Sequence, residues 1–434
     1  MSVETGFYGI AALLVLLILR VPVALAMIAV SFGGIVSLLG TTPAVGILQN
    51  TPYDFAAKWT MSAVPMFLLM GFVAYHSNLT SGLFTAAKVA LRRIPGALAI
   101  ASIFTCSGFA AVCGSSIATA ASMGRIAIPE MVKAGYSPSI AAGSIAAGGT
   151  IGALIPPSII MIIYGVFAET SITQVFMGGV TIGIMTAISY AVVILIGAWL
   201  RPDLIPRQPI EEDTPPLGRA LIDTWPVLAL IALVFGGLFS GLFSATEAGA
   251  VGAAGAVLCA MAVGRLNWTV LRTSLLETLQ TTASLLIIGI GAAMFTRFLG
   301  ITGLSNFIAA QVSGADLSYY HLMLIVVVIY FLLGMVMEPF GAMLVTLPIF
   351  IPILNAEGIS LVWFGVLVVK LLEIGMVTPP VGLNVFVIRN VASEHVTTMQ
   401  VFKGVGPFLL SDLVVTALVV IFPGVVLYLP QLMQ

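Results

Sequence analysis

Two stretches decide how this chain folds: Gly152-Ala-Leu-Ile-Pro-Pro-Ser158 and, 223 residues later, Gly375-Met-Val-Thr-Pro-Pro-Val381. Each lies in the middle of a long apolar run, at 139–166 and 361–388. Proline has no N–H, so a proline pair deprives the carbonyls four residues earlier of their helical donors. Those carbonyls belong to Gly152 and Ala153 in the first stretch and to Gly375 and Met376 in the second. Each run is therefore expected to be a discontinuous helix, its second half starting at the prolines, where proline suits the first helical turn. An unpaired carbonyl in apolar surroundings is costly unless something binds it, and a hard, oxygen-seeking cation is one such partner. The N-terminus of each second half-helix offers its partial positive charge to an anion.

The surroundings are a membrane. Of 434 residues, 60% are apolar and 8% are charged, against about 25% charged in an average soluble domain. This excludes a nucleic-acid binder, a secreted disulfide scaffold and a soluble enzyme. Further apolar runs at 5–19, 23–40, 60–78, 174–200, 223–242, 245–263, 278–299 and 404–429 read as spans. The N-terminus lacks a basic n-region, so the first run reads as a retained span. Two more apolar regions, 96–133 and 319–356, break at Gly114-Ser-Ser and at Glu338-Pro-Phe-Gly. Their halves, of about 17 residues, barely make a crossing, so each region is expected to be a re-entrant hairpin whose tip is shielded by protein or a watery cavity. Cys106, Cys113 and Cys259 have no metal spacing and read as small buried hydrophobes.

The fold class expected is an all-α integral membrane protein with an inverted repeat. At the offset of 223, Pro129, Gly135, Ser137, Ile151, Gly152, Pro156 and Pro157 fall on Pro352, Gly358, Ser360, Ile374, Gly375, Pro379 and Pro380, and the two hairpin tips coincide. With the N-terminus outside, twelve of the sixteen basic residues, Arg207 among them, face the cytoplasm. Lys58 and Arg297 face outward, and Arg125 and Lys370 lie within spans. The first hairpin then opens to the cytoplasm and the second outward, and both termini are periplasmic. Residues 1–200 form the first repeat and 223–434 the second, joined by a proline-rich, mixed-charge cytoplasmic linker at 201–222. Inverted repeats with broken helices meeting near the midplane mark secondary transporters.

The chemistry is expected where tips and breaks meet. Tip one, Cys113-Gly-Ser-Ser-Ile-Ala-Thr119, pairs with the first break, and tip two, Glu338-Pro-Phe-Gly341, with the second, giving two pseudo-equivalent cation sites with an anionic substrate between them. Thr378 replaces Ile155 and Asn384 stands where Met161 does, so the second site should hold more side-chain ligands. Candidates for the substrate are Ser116, Thr119, Arg125, Ser158, Gly341 and Asn384. Arg125, Glu247, Lys370, Glu373 and Asp412 are charges in or near the membrane, which default to function. Lys370 and Glu373, three apart on one helix, are placed to neutralise each other, and Glu338 ranks highest among the acids. The bland alternatives are that the proline pairs are simple kinks and that Gly-Ser-Ser only packs closely against a neighbouring helix. An intramembrane hydrolase using Ser115 or Ser116 would lack a partner base, since His76, His321 and His395 sit near span ends. No H-E-x-x-H or G-x-S-x-G pattern exists. An open channel suits two occluding hairpins less well than alternating access.

At Gly114-Ser-Ser-Ile-Ala-Thr-Ala-Ala-Ser-Met-Gly-Arg-Ile-Ala-Ile-Pro-Glu-Met131, Lys133-Ala-Gly-Tyr136 and Ala147-Gly-Gly-Thr-Ile-Gly-Ala-Leu-Ile-Pro-Pro-Ser158 the chain resembles the DctM-type large membrane subunit of TRAP transporters. Gly241-Leu-Phe-Ser-Ala-Thr-Glu-Ala-Gly249 and Gly375-Met-Val-Thr-Pro-Pro-Val-Gly-Leu-Asn384 extend the likeness, with Ser244-Ala245 where the family often has Thr-Pro. The resemblance implies a Na⁺-driven importer of organic acids in a bacterial inner membrane, with an elevator-like transport domain moving against a scaffold. It implies two partners, a small four-helix membrane subunit of the DctQ type and a periplasmic substrate-binding protein of the DctP type. Two or more Na⁺ sites would map onto Gly114, Ser115, Ser116, Gly152 and Pro156, and onto Glu338, Gly375, Thr378 and Pro379. A stand-alone carboxylate carrier is the alternative within the same fold group.

Overall fold

The computed structural model describes residues 2–206, 216–315 and 317–432, and among them every regular element is helical. The chain opens with α1 (Val3–Ile18), α2 (Val23–Leu39), α3 (Thr41–Ala56) and α4 (Ala63–His76). A short α5 (Ser81–Leu91) leads into the pair α6 (Ala97–Cys113) and α7 (Ser116–Lys133). Next come α8 (Pro138–Thr150), α9 (Ile159–Phe167) and the long α10 (Ile172–Leu200). After α11 (Leu217–Ile222), α12 (Trp225–Phe239) and α13 (Ala245–Ala262) precede the 35-residue α14 (Trp268–Thr302). The order then recurs: short α15 (Leu304–Gly314), the pair α16 (Tyr319–Val336) and α17 (Pro339–Ala356), then α18 (Leu361–Gly375), α19 (Leu383–Val391) and long α20 (Thr398–Ile421). A final α21 (Gly424–Gln431) closes the chain.

Helix boundaries follow local chemistry. Ser116 and Pro339, which start the second helix of each pair, stand 223 residues apart, as do Lys133 and Ala356, which end them. The break before α7 is made by Gly114 in the left-handed region (φ 65°) and by Ser115 as N-cap, its hydroxyl accepting from Ala118 N–H. Glu338 caps α17 in the same way, accepting from Gly341 N–H. The two runs with proline pairs are interrupted as expected: α8 passes through a 3₁₀ turn at Ile151–Ala153 before α9 resumes, and α18 stops at Gly375 before α19 starts at Leu383.

Several expected spans need correction. Helix α3 lies wholly between two expected runs, because Gln49, Asn50, Asp54 and two prolines hide its period from a search for apolar stretches. Helix α14 starts ten residues before the expected 278, its first turns carrying Arg272 and Glu277 among apolar residues. The run 404–429 is two helices, parted at Phe422-Pro423. The linker 201–222 ends in the helical turns of α11, while Arg207 and the rest of 207–215 lie outside the described residues. Cys106 and Cys113 are buried as expected, but Cys259 is only half-buried.

Among the described residues seven helices are long and apolar enough to cross a membrane: α4 with the turn before it, α10, α13, α14, α16, α17 and α20. One apolar core gathers α4, α9, α13, α14 and α16–α18, and another gathers α6–α8, α10, α19 and α20. Large apolar side chains also point outward, Ile18 at 80% and Trp199 at 81% exposure, as a lipid-facing surface requires. Close crossings rest on glycine. A Cβ on Gly143 of α8 would lie 2.2 Å from the Gly404 carbonyl carbon of α20, and one on Gly375 of α18 would lie 2.3 Å from that of Gly334 in α16. Without a hydrophobic drive between helices in lipid, such backbone approach is how they hold together.

Candidate functional site

Both helix-pair tips and both breaks border one cavity of about 1000 Å³. Gly114, Ser115 and Ser116 line it from tip one, Glu338 and Pro339 from tip two, Ala153 and Ile159 from the first break, and Met376 from the second. Helices α2, α4 and α14 complete the wall. Its surface is mostly apolar side chains, Leu68, Phe72, Leu285 and Phe340 among them. The sequence brings these segments together by making each of them a helix end, where backbone polar groups lack intrahelical partners.

Tip one fits the first break closely. A Cβ on Gly114 would lie 2.0 Å from the Pro157 carbonyl oxygen. A Cβ on Gly152 would lie 2.7 Å from both the Ser115 carbonyl oxygen and the Thr119 hydroxyl, filling the space between them. Thr119 donates its hydroxyl to Ser115 O at 2.7 Å and does not line the cavity. Leu154 and Ile155 N–H both turn back to Ile151 O, and among the described residues no donor reaches the carbonyls of Gly152 and Ala153. The first break therefore presents the open oxygens that its proline pair implied, with Pro156 and Pro157 themselves buried.

The second break differs, and here the expectation of freed carbonyls is corrected. Gly375 O accepts from Thr378 N–H and Met376 O accepts from Asn384 N–H, both at 3.0 Å. A wider loop, 376–382, lets the chain fold back and supply these donors, which the shorter first break cannot. Thr378 spends its hydroxyl on Ile374 O at 2.7 Å, Pro379 is exposed, and Gly375 packs against Gly334. Among the described residues no hydrogen bond or ion pair joins the side chains of Glu338 and Thr378 to each other or to Pro379. Each break nonetheless keeps one buried polar side chain unpartnered: Ser158 Oγ at the first, both amide atoms of Asn384 at the second. Buried polar groups are normally satisfied, which makes these two side chains candidates for ligand contact.

Charges sort differently from their spacing. Lys370 makes no ion pair with Glu373. It forms a buried ion pair with Asp412 Oδ1 and donates to Thr186 Oγ1 at 3.1 Å. Tyr190 donates to the other Asp412 oxygen at 2.7 Å and sits 3.3 Å from Thr150 Oγ1 at the end of α8. Glu373 instead faces the cavity, accepting from Ser116 Oγ at 3.3 Å, with its second oxygen buried and unpartnered. Glu338 also faces the cavity, and Gly341 serves it through its N–H at 3.1 Å. Glu247 is a capping-box residue, its carboxylate accepting from Ser244 N–H at 2.8 Å. Arg125 is exposed and does not line the cavity. Nine residues past Ser116 put it about 13 Å along the helix at 1.5 Å per residue.

The polar wall of α14 is absent from the residues that the sequence singles out. Glu277, Gln280, Thr281 and Ser284 all line the cavity, and His76 Nε2 lies 2.9 Å from Glu277 Oε2. Their spacing of i, i+3, i+4, i+7 on an otherwise apolar helix is the signal that marks a polar face. Among the described residues no group of three or more His, Cys, Asp and Glu has metal-holding geometry.

Residues 10–425 match the sequence model of the DctM component of tripartite ATP-independent periplasmic transporters. The chain is 34% identical over 401 residues to the C4-dicarboxylate TRAP transporter large permease protein DctM of Pseudomonas aeruginosa, covering 92% of each. It is 31% identical over 411 residues to the sialic acid TRAP transporter large permease protein SiaM of Vibrio cholerae, covering 91% of this chain and 94% of the relative. Among solved structures, the Alcanivorax borkumensis YdaH transporter shares the fold at a TM-score of 0.64 and 17% identity, covering 88% of this chain and 89% of that one. A multi-pass helical chain whose broken helices meet at one cavity, and whose sequence matches these permeases nearly end to end, belongs to the DctM family of TRAP transporter large permease subunits.

Proposed function

We propose that this subunit carries out Na⁺-coupled import of a small organic solute bearing a carboxylate, across a bacterial inner membrane. A periplasmic binding protein delivers the solute, and a small four-helix membrane subunit completes the complex. The observation that carries the reading is the first break: open carbonyls at Gly152 and Ala153 beside Ser115 O and the Thr119 hydroxyl, next to a 1000 Å³ cavity. Hard oxygen donors without hydrogen-bond partners suit a desolvated alkali cation. The orphaned Asn384 side chain supports a second ion at the other break. In this reading Gly114, Ser115, Ser116, Gly152 and Pro156 shape site one, and Asn384 is the candidate at site two, with Glu338 facing the cavity nearby; Gly375, Thr378 and Pro379 leave the ion set because their groups are spent or exposed. Ser116, which lines the cavity, and Ser158, whose buried hydroxyl is unpartnered at the first break, are the remaining solute candidates. Arg125, Thr119 and Gly341 leave that set, since none of them lines the cavity.

The recurring helix order at an offset of 223 supports two repeated halves, and the cytoplasmic bias of the basic residues supports their inversion, with 96–133 and 319–356 as re-entrant hairpins and both termini periplasmic. By length α16 and α17 each reach the minimum for a crossing. What favours re-entry is that their junction borders the cavity together with tip one. The hairpins and broken helices would form a transport domain that moves as an elevator against a scaffold of α1–α4 and α12–α14. The named solutes of the two relatives differ, so sequence identity does not choose among organic acids. In proteoliposomes with both partners, an inward Na⁺ gradient should drive uptake, whereas a proton gradient alone should not. Uptake indifferent to Na⁺ would overturn the coupling.

A further inference from the structure

Three carboxylates line the cavity, from Glu277, Glu338 and Glu373, and no Lys or Arg does among the described residues. A site built only for a dicarboxylate would have to offset that charge, and no cationic side chain on these walls does so. Two of the three acids have a structural partner of their own. Glu338 accepts the Gly341 N–H of the helix that it caps, and Glu277 is paired with His76. Glu373 is different. It is 2% exposed, Ser116 Oγ holds one of its oxygens, and the other is buried with no partner. The nearest fixed cation on its own helix, Lys370, is committed to Asp412 and Thr186.

A buried carboxylate oxygen left open beside a cavity needs a donor or a cation. Anion affinity is available close by, because α7 and α9 both begin at the cavity wall and point their N-terminal N–H groups at it. The N-terminus of α17 is less free, since its cap is the carboxylate of Glu338, whereas α7 is capped by the neutral Ser115 hydroxyl. We infer that the transported solute is zwitterionic, a small molecule with a positively charged N–H group as well as a carboxylate, and that Glu373 receives the nitrogen while the α7 and α9 N-termini receive the carboxylate. Ser116 is a positioning residue in this arrangement: its hydroxyl holds the Glu373 carboxylate so that the open oxygen is available to the solute. The inference rests on the reading of this cavity as the permease's solute site. It narrows the solute from an organic acid to an amino or amidino acid.

The test uses the full chain, purified in nanodiscs, with thermal stabilisation as the readout. The probes are small zwitterions, 4-aminobutanoate and cyclic amino and amidino acids among them. Each is paired with the isostere in which carbon replaces the charged nitrogen (pentanoate for 4-aminobutanoate), and glutarate serves as the dicarboxylate. In saturating Na⁺, at least one zwitterion should bind ten-fold or more tightly than its carbon isostere and than glutarate, since a charge-assisted hydrogen bond carries roughly that factor. Glu373→Gln should abolish this preference, and Ser116→Ala should weaken it several-fold without reversing it. An equal or larger response to glutarate, or no zwitterion outperforming its isostere, overturns the inference. A titration with NaCl alone separates the levels. If Glu373→Gln removes the Na⁺ response itself, Glu373 is an ion ligand and the inference falls while ion coupling stands. If the unmodified chain shows no Na⁺ response, the reading of the permease as Na⁺-coupled is what fails.

Discussion

Gly114 meets two demands at the scale of one residue. Its φ of 65° belongs to the left-handed region, and a side chain there would collide with the Pro157 carbonyl oxygen. The two demands can be separated. Gly264 has a similar φ of 71°, with nothing within 4 Å of where a methyl group would stand. Gly264→Ala should therefore cost only the left-handed backbone term, about 1 kcal/mol, and leave uptake near its original rate. Gly114→Ala should cost more than that and abolish Na⁺-dependent stabilisation, because tip one must retreat from the first break. Equal thermal shifts for the two variants, with Na⁺ response intact in both, would remove the fit of tip and break from the mechanism. That Gly114 mattered was legible in Gly-Ser-Ser between two apolar runs. That it meets Pro157, more than forty positions away in the chain, was not.

Among the elements, the informative contact joins α18 to α20 through Lys370 and Asp412, with Tyr190 and Thr186 of α10 around them. Removing one member of a buried pair strands the other, a loss of about 3–5 kcal/mol, whereas replacing both with apolar groups of similar size is often near neutral. Lys370→Met and Asp412→Leu should each destabilise strongly in thermal or denaturant unfolding, and the double variant should recover most of the loss. Additive losses would mean that the two charges act independently. Sequence spacing pairs Lys370 with Glu373 because both lie on one face of α18. The partner that won comes from another helix, and a one-dimensional rule for i, i+3 pairs has no access to it. The same limit explains α14, whose polar stripe from Glu277 to Ser284 has the period of a lined cavity yet gives no indication of what lies opposite.

Across the whole molecule the proposed elevator demands that tip one slide past α4. A Cβ on Gly71 of α4 would lie 3.1 Å from the Cα of Cys113 and 2.9 Å from its carbonyl oxygen, so the two backbones already touch. Gly71→Ala should therefore push tip one away from α4 and lower uptake several-fold, whereas Gly33→Ala on α2, with open space around its Cβ, should leave uptake near its original rate. Equal uptake by the two variants would remove the passage of tip one along α4 from the mechanism. Composition and apolar runs by themselves determined that this chain is a helical membrane protein, because a chain with 8% charge cannot cover itself in water. Proline and glycine marked the breaks at both tips and in both discontinuous helices, because they act on the backbone locally, although the break at Phe422-Pro423 was not anticipated. Only the tertiary structure decided which oxygens stay open, which acids are already paired and which carboxylate is left facing a cavity, since each of these depends on a donor brought from a distant helix by packing.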